Sequence, residues 1–378
     1  MTPTTESTQN RVIQPRVNWR QVGLFIGLTF GFTYVLDLLL QLVGGYGSSS
    51  TTTFLQLQMM LPAFFAIFLG MFIFTDSPFY FHKPMPDGRP DRARGFFYLY
   101  LALTVFYVIL AAISALAPSL AQLVAQLRTL PMILGLLGLI VFRVFKGREA
   151  FARANMRGGH FMDWVLFTLA FVAFYALQTG LNMLFNLGQP VDLSLLAAQI
   201  GTSMSGPALL IMLAIQTILE GSLLGLVVAF GEEYGWRGFL QGQLTRLGKK
   251  RGVLLLGLIW GAWHYPAIWM GHNYPGQPIA GTIAMTLYCV LLAFVLGYVV
   301  LKTGSVWLAA FLHAINNQTN SFFNSLVYTS NDPIFSFGLG LYGLATLAVI
   351  VLLLLRDPVW KDTPAQTQLA EPAASQVA

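Results

Sequence analysis

The sequence predicts an all-α membrane protein, a polytopic bundle of about ten transmembrane helices with roughly eight to ten compatible with the pattern. Three observations predict it. Of 378 residues, 56 % are hydrophobic and only 10 % charged, with a mean hydropathy of +0.66. An ordinary soluble domain carries about 25 % charged residues, so these few cannot cover a globular surface. The same ratio excludes a disordered chain, because there is ample apolar surface to bury. Apolar stretches of about 20 residues, the length that crosses the hydrocarbon core, recur along the chain. Finally, the basic residues alternate between the connectors in the way a multi-pass topology demands.

The spans fall near 22–43, 54–74, 96–116, 123–142, 164–187, 206–230, 253–271, 279–301, 304–327 and 336–355. The first is too long for a signal-peptide core and is followed by no small-x-small cleavage site, so it is expected to be retained. With the N-terminus cytoplasmic, 20 of the 21 Lys and Arg residues lie in cytoplasmic segments, and only Arg128 falls outside. Cytoplasmic loops hold such an excess, and a wrong count would scramble the alternation. Both termini are therefore expected to be cytoplasmic, in a multi-pass protein of a prokaryotic plasma membrane. The net charge of +6 reads as topology, not as a nucleic-acid partner.

No polar stretch is long enough for a soluble domain. The expected organisation is a polar cytoplasmic segment 1–20, N-terminal transmembrane helices 21–205, a core 206–327, a last transmembrane segment 328–361 and a disordered tail 362–378. One cysteine, Cys289, excludes an internal disulfide, and no CxxC or Cys/His cluster is present. Gly23, Gly27 and Gly31 form a small-residue stripe, as do Gly257 and Gly261, and both favour close helix contacts. No internal repeat of the inverted-transporter kind is visible.

Ionisable groups inside apolar spans are expensive, so each marks a candidate site. The candidates are Asp37, Glu220, Glu232, Glu233, Arg237, His264 and His313. Asp37 and Glu220 have no partner at helical spacing; each is expected to pair with a neighbouring helix, to sit near an interface or to line a polar cavity. The segment Gly231 to Arg237 (GEEYGWR) is richer. Adjacent glutamates on a helix point about 100° apart, so Glu232 and Glu233 cannot share a face. Glu233 and Arg237 are spaced for an ion pair, which leaves Glu232 free to face a cavity. The competing reading is a helix end reaching the headgroups, where charge is cheap.

Two further helices bear on that choice. Trp260 and His264 share a face of one, and His313 and Asn317 share a face of the other. The remaining histidines, His82, His160 and His272, fall in connectors. Counted from the cytoplasmic side, His264 lies roughly 17 Å deep, His313 roughly 14 Å and Asn317 roughly 20 Å. Glu232 reaches roughly 20 Å only if its helix continues to about Leu247, with a kink near Gly221 or Gly225 or a tilt to absorb the length.

These motifs resemble the CPBP family of intramembrane proteases, which includes CAAX prenyl proteases and bacteriocin-processing proteins. The family pattern is EExxxR, then an aromatic residue four before a histidine, then HxxxN. Here these read Glu232-Glu233-x-x-x-Arg237, Trp260-x-x-x-His264 and His313-x-x-x-Asn317. Trp260 stands where the family often has Phe. The resemblance covers roughly residues 206 to 327, and the earlier spans carry no recognisable motif.

The resemblance implies an intramembrane endopeptidase acting on a membrane-associated polypeptide, lipidated or not. Glu232, desolvated, would be the general base, His264 would co-orient the water, and His313 with Asn317 would stabilise the oxyanion. Glu233, Arg237 and Trp260 would support them. In a metal-dependent form, Glu232, His264 and His313 would hold Zn²⁺ with an open fourth position. A Glu that ligates cannot also be the free base, so a site without a tightly bound metal is favoured, with Zn²⁺ left open as the alternative. The alternatives are a transporter relaying protons through its carboxylates and a non-catalytic membrane scaffold.

Overall fold

The computed structural model describes residues 16–83, 91–144, 147–336 and 339–362. The expected disordered tail, apart from its first residue Asp362, and most of the polar N-terminal segment lie outside the described residues.

The chain folds as a helical bundle. Seven stretches are long and apolar enough to cross a membrane. Helix α1 (Trp19–Leu42) starts at Asn18, whose side chain accepts from the Gln21 amide. Helix α2 (Thr51–Phe68) runs on through a π-turn to Ile73, and α3 (Arg92–Leu116) is capped by Asp91. The expected span 123–142 is two helices, α4 (Ala121–Leu127) and α5 (Thr129–Val144), divided at Arg128. A short α6 (Arg148–Arg153) precedes α7 (Phe161–Leu184), and α8 (Leu193–Gln199) follows it.

The sixth stretch is continuous helix from Gly206 to Leu247, 42 residues. At 1.5 Å per residue it is on the order of 60 Å long, about twice the hydrocarbon thickness. Its parts are α9 (Gly206–Ala214), a π-turn at Ile215–Glu220, α10 (Gly221–Glu233), a second π-turn at Tyr234–Leu240, and α11 (Gln241–Leu244) with a last 3₁₀ turn. The first irregularity ends at Gly221, one of the two glycines where a kink is expected.

Helix α12 (Lys249–Trp263) breaks at His264 into α13 (Tyr265–Trp269). The long α14 (Pro278–Thr303) turns through Gly304, at φ 65°, into α15 (Val306–Ser321). Ser305 accepts from the Leu308 amide and starts that helix. The last helix is α16 (Leu341–Leu354). Three expected spans thus correspond to α12–α13, α15 and α16, which are shorter than the other seven.

Residues 226–237 are buried without a break. A helix buried on every side belongs to the interior of a bundle, so the reading of Glu232, Glu233 and Arg237 as a helix end among headgroups is overturned. Helix α2 passes directly across this segment. A Cβ on Gly231 would collide with the Met59 carbonyl and Tyr100 hydroxyl, and one on Gly235 with Pro62. The glycines either side of the glutamate pair are therefore what lets α2 lie against it. Gly257 and Gly261 likewise press α12 onto α14, at Val290 and Thr286. The α1 stripe does not do this. A Cβ on Gly23, Gly27 or Gly31 would meet nothing, because α1 buries its opposite face, through Val22, Phe25, Thr29 and Thr33.

The bundle has two distinct ends. At one, Arg246 meets the Arg16 carbonyl, the Lys249 amide meets Asp362, and Lys302 meets Asp357. At the other, His272 meets Tyr46, Tyr274 meets the Leu339 carbonyl, and Gln277 meets Asp332. A two-stranded antiparallel pair, Gly188–Pro190 with Tyr328–Ser330, closes this second end and was not expected from the sequence.

Candidate active site

The second π-turn begins directly after Glu233 and changes the helical phase beyond the two carboxylates, a device frequent at functional sites. Glu232 and Glu233 consequently do different things. Glu232 Oε2 accepts from the Trp260 indole N–H at 2.7 Å. Glu233 Oε1 accepts from Arg237 Nη1 at 3.0 Å and faces His313 Nδ1 at 2.8 Å. All three charged side chains are almost wholly withdrawn from the surface, with Glu233 and Arg237 at 0–1 % exposure. The expected Glu233–Arg237 pairing is present. The bond from His313 to Glu233 differs from the expectation, which placed His313 only beside Asn317.

Arg237 also lies over the Trp260 ring, 4.1 Å from its centroid. The indole is thus held on its face by a cation and at its edge by a carboxylate. Both histidine rings pack near it, His313 at 5.6 Å and His264 at 6.0 Å between centroids. Trp260 is the hub on which the three helices meet.

His264 Nδ1 lies 2.9 Å from the Trp260 carbonyl. A carbonyl only accepts, so this nitrogen carries a hydrogen, and Nε2 of the neutral ring is left as an acceptor. Asn317 Oδ1 accepts from Asn316 Nδ2 at 3.1 Å, and the Asn317 amide hydrogens have no partner among the described residues. Asn316 is itself fixed, since its Oδ1 accepts from Tyr175 at 3.0 Å and Tyr288 at 2.9 Å.

These groups border one cavity of about 290 Å³, walled by Glu232, Trp260, His264, His313, Asn316 and Asn317 together with Tyr175, Tyr288, Cys289 and His272. The structure therefore brings together all four residues to which the sequence assigns chemistry, and leaves Glu233 and Arg237 behind the wall. Asp37 is one step removed: it is buried and accepts from Gln58, itself a cavity residue, at 2.7 Å. Glu220 is exposed on the first π-turn, away from the cavity. Sequence reasoning missed Asn316, the two tyrosines and His272. Asn316 stands beside Asn317 in the sequence, but no spacing rule distinguishes Tyr175 or a histidine in a connector.

Among the described residues, no group of three His, Cys, Asp or Glu side chains is placed to hold a metal ion. The set Glu232, His264 and His313 does not form such a centre. Glu232 Oε2 is engaged by Trp260, and each histidine engages its neighbours through Nδ1, with Nε2 left as the nitrogen toward the cavity.

Residues 208–319 match the family model of the Rce1-like type II CAAX prenyl endopeptidases. That segment is Rce1-like. It spans under a third of the chain and contains all three motifs. No curated protein is significantly similar to the chain. The Rce1-like match implies a protease, a hydrolase, in an integral multi-pass membrane protein, and the apolar helices agree with that setting.

Proposed function

We propose that this protein is an intramembrane endopeptidase that hydrolyses a peptide bond in a membrane-associated polypeptide, with Glu232 as general base. The observation that carries the reading is a buried carboxylate on the wall of a polar cavity, facing His264, His313 and Asn317 within an Rce1-like segment. Trp260 occupies Oε2 of Glu232, so Oε1 is the atom that takes a proton from water. His264 Nε2 accepts the second water hydrogen and aligns the lone pair for attack. The carbonyl oxygen of the scissile bond becomes an oxyanion, and Asn317 Nδ2 donates to it. His313 Nε2 donates as well when its ring carries both protons, Glu233 supplying the countercharge. The proton held on Glu232 then passes to the leaving amine, which completes hydrolysis.

The Rce1-like match supports this chemistry, and the distribution of basic residues supports cytoplasmic termini. The test is reconstitution in liposomes with a membrane-anchored polypeptide reporter. Glu232→Gln and His264→Ala are expected to reduce cleavage by at least about 100-fold, the scale of general-base catalysis, with thermal unfolding retained. Glu220→Ala is expected to leave cleavage intact; a carboxylate-relay transporter would show the reverse pattern. Full proteolysis by Glu232→Gln would refute the assignment.

A further inference from the structure

Among the described residues, the cavity lining reaches connector residues at one end of the bundle only. Its deepest wall is Glu232, His313 and Leu292, and from there it extends to His272, Asn273 and Leu339. Those three residues lie in the connectors after α13 and before α16, at the end closed by the strand pair. The described cavity wall includes no residue from the opposite end, where the helix termini carrying Arg246, Lys249 and Lys302 sit. Among the described Lys and Arg residues, Arg128 alone belongs to the end that the cavity lining reaches. Excess Lys and Arg mark the cytoplasmic side of a membrane protein.

The wall chemistry carries a second constraint. Its polar groups are carboxamides (Gln58, Asn273, Asn316, Asn317 and Asn320), histidines, tyrosines and the Glu232 carboxylate, with no Lys or Arg among the described lining residues. A free C-terminal carboxylate brought there would lose hydration and face the Glu232 carboxylate with no Lys or Arg in the described lining to pair it, a cost of several kcal/mol in a low-dielectric site. A neutral internal peptide segment fits this lining of amide donors and acceptors.

We infer that substrate reaches the cavity from the non-cytoplasmic face of the membrane, as an internal stretch of a membrane-bound or exported polypeptide and not as a cytoplasmic C-terminal tail. This rests on the endopeptidase reading of the same cavity.

The test is side-specific labelling of the full-length protein in sealed membrane vesicles. In a Cys289→Ala background, single cysteines are placed at the cavity wall (Asn320→Cys), on the connector beyond it (Asn331→Cys) and at the basic end (Arg251→Cys). Each is exposed to a membrane-impermeant maleimide. With the non-cytoplasmic face outward, the cysteines at 320 and 331 are expected to react at least ten-fold faster than in inverted vesicles, and the cysteine at 251 ten-fold slower. A cysteine at 320 that reacts from the cytoplasmic face, or from neither, overturns the inference. So does a cysteine at 331 that is reached only in inverted vesicles. In parallel, reporters carrying the target stretch on one face or the other are cleaved, with cutting expected only on the non-cytoplasmic side. Outside labelling of a protein that cleaves neither reporter would sink the hydrolase reading alone. Cleavage with cytoplasmic labelling would sink only the direction of access.

Discussion

His313 Nδ1 stands 2.8 Å from Glu233 Oε1, a bond between two helices whose residues are 80 positions apart in the chain. The second histidine thus leans on the second glutamate, and the first glutamate is left to the cavity. The two carboxylates divide the work by position alone: one is paired with Arg237 and bonded to His313, the other accepts a single indole N–H.

The Glu233–Arg237 pair gives the first prediction. Removing one member of a buried pair leaves an unpaired charge and costs about 3–5 kcal/mol, whereas replacing both with uncharged groups costs far less. Arg237→Met is therefore expected to lower the unfolding temperature in detergent sharply. The double variant Glu233→Gln with Arg237→Met is expected to recover most of that loss. A double variant as unstable as the sum of both singles would mean the pair is not acting as a unit.

Trp260 gives the second. Trp260→Phe keeps an aromatic ring under Arg237 but removes the donor to Glu232 Oε2. With the carboxylate free to rotate, kcat is expected to fall by at least about 10-fold, the lower end of what a hydrogen bond to a charged group contributes. KM is expected to stay within two-fold, because the indole nitrogen does not touch substrate in the proposed mechanism. A change confined to KM would place Trp260 in binding instead.

Gly235 gives the third. Its missing Cβ is the space that Pro62 of α2 occupies. Gly235→Leu is expected to force α2 away from the segment holding Glu232, destabilising the protein by at least about 1–3 kcal/mol as an overpacking substitution. Gly242→Leu, where a Cβ would meet nothing, is expected to be tolerated. Paired thermal unfolding curves check both, and equal effects would contradict the packing argument.

Much of this arrangement is legible in the sequence because lipid constrains it so strongly. The scarcity of charge requires helices, and the alternation of basic residues sorts the connectors between the two ends. The spacing of Glu233 and Arg237 is a local rule that survives the π-turn between them. The long helix to Leu247 also follows from the sequence, since only it places Glu232 level with His264 and His313. What could not be read is what depends on which faces meet. The Gly23, Gly27 and Gly31 stripe looks like a contact surface, yet the polar Thr29, Thr33 and Asp37 draw the opposite face of α1 inward. The partner of His313 is a choice between two adjacent carboxylates that a π-turn decides. Tyr175 and His272 come from elements outside the motifs, and only assembly of the bundle carries them to the cavity.

The two bonds to Glu233 also differ in when they become available. Arg237 follows it by four residues, so both leave the ribosome in the same helical turn and can be handed to the bilayer already neutralised. His313 is made 80 residues later, after two more crossings have been threaded. The intrahelical bond can therefore escort an acidic group into lipid during synthesis, and the interhelical bond is a latch that closes only late in biogenesis, when the cavity first exists.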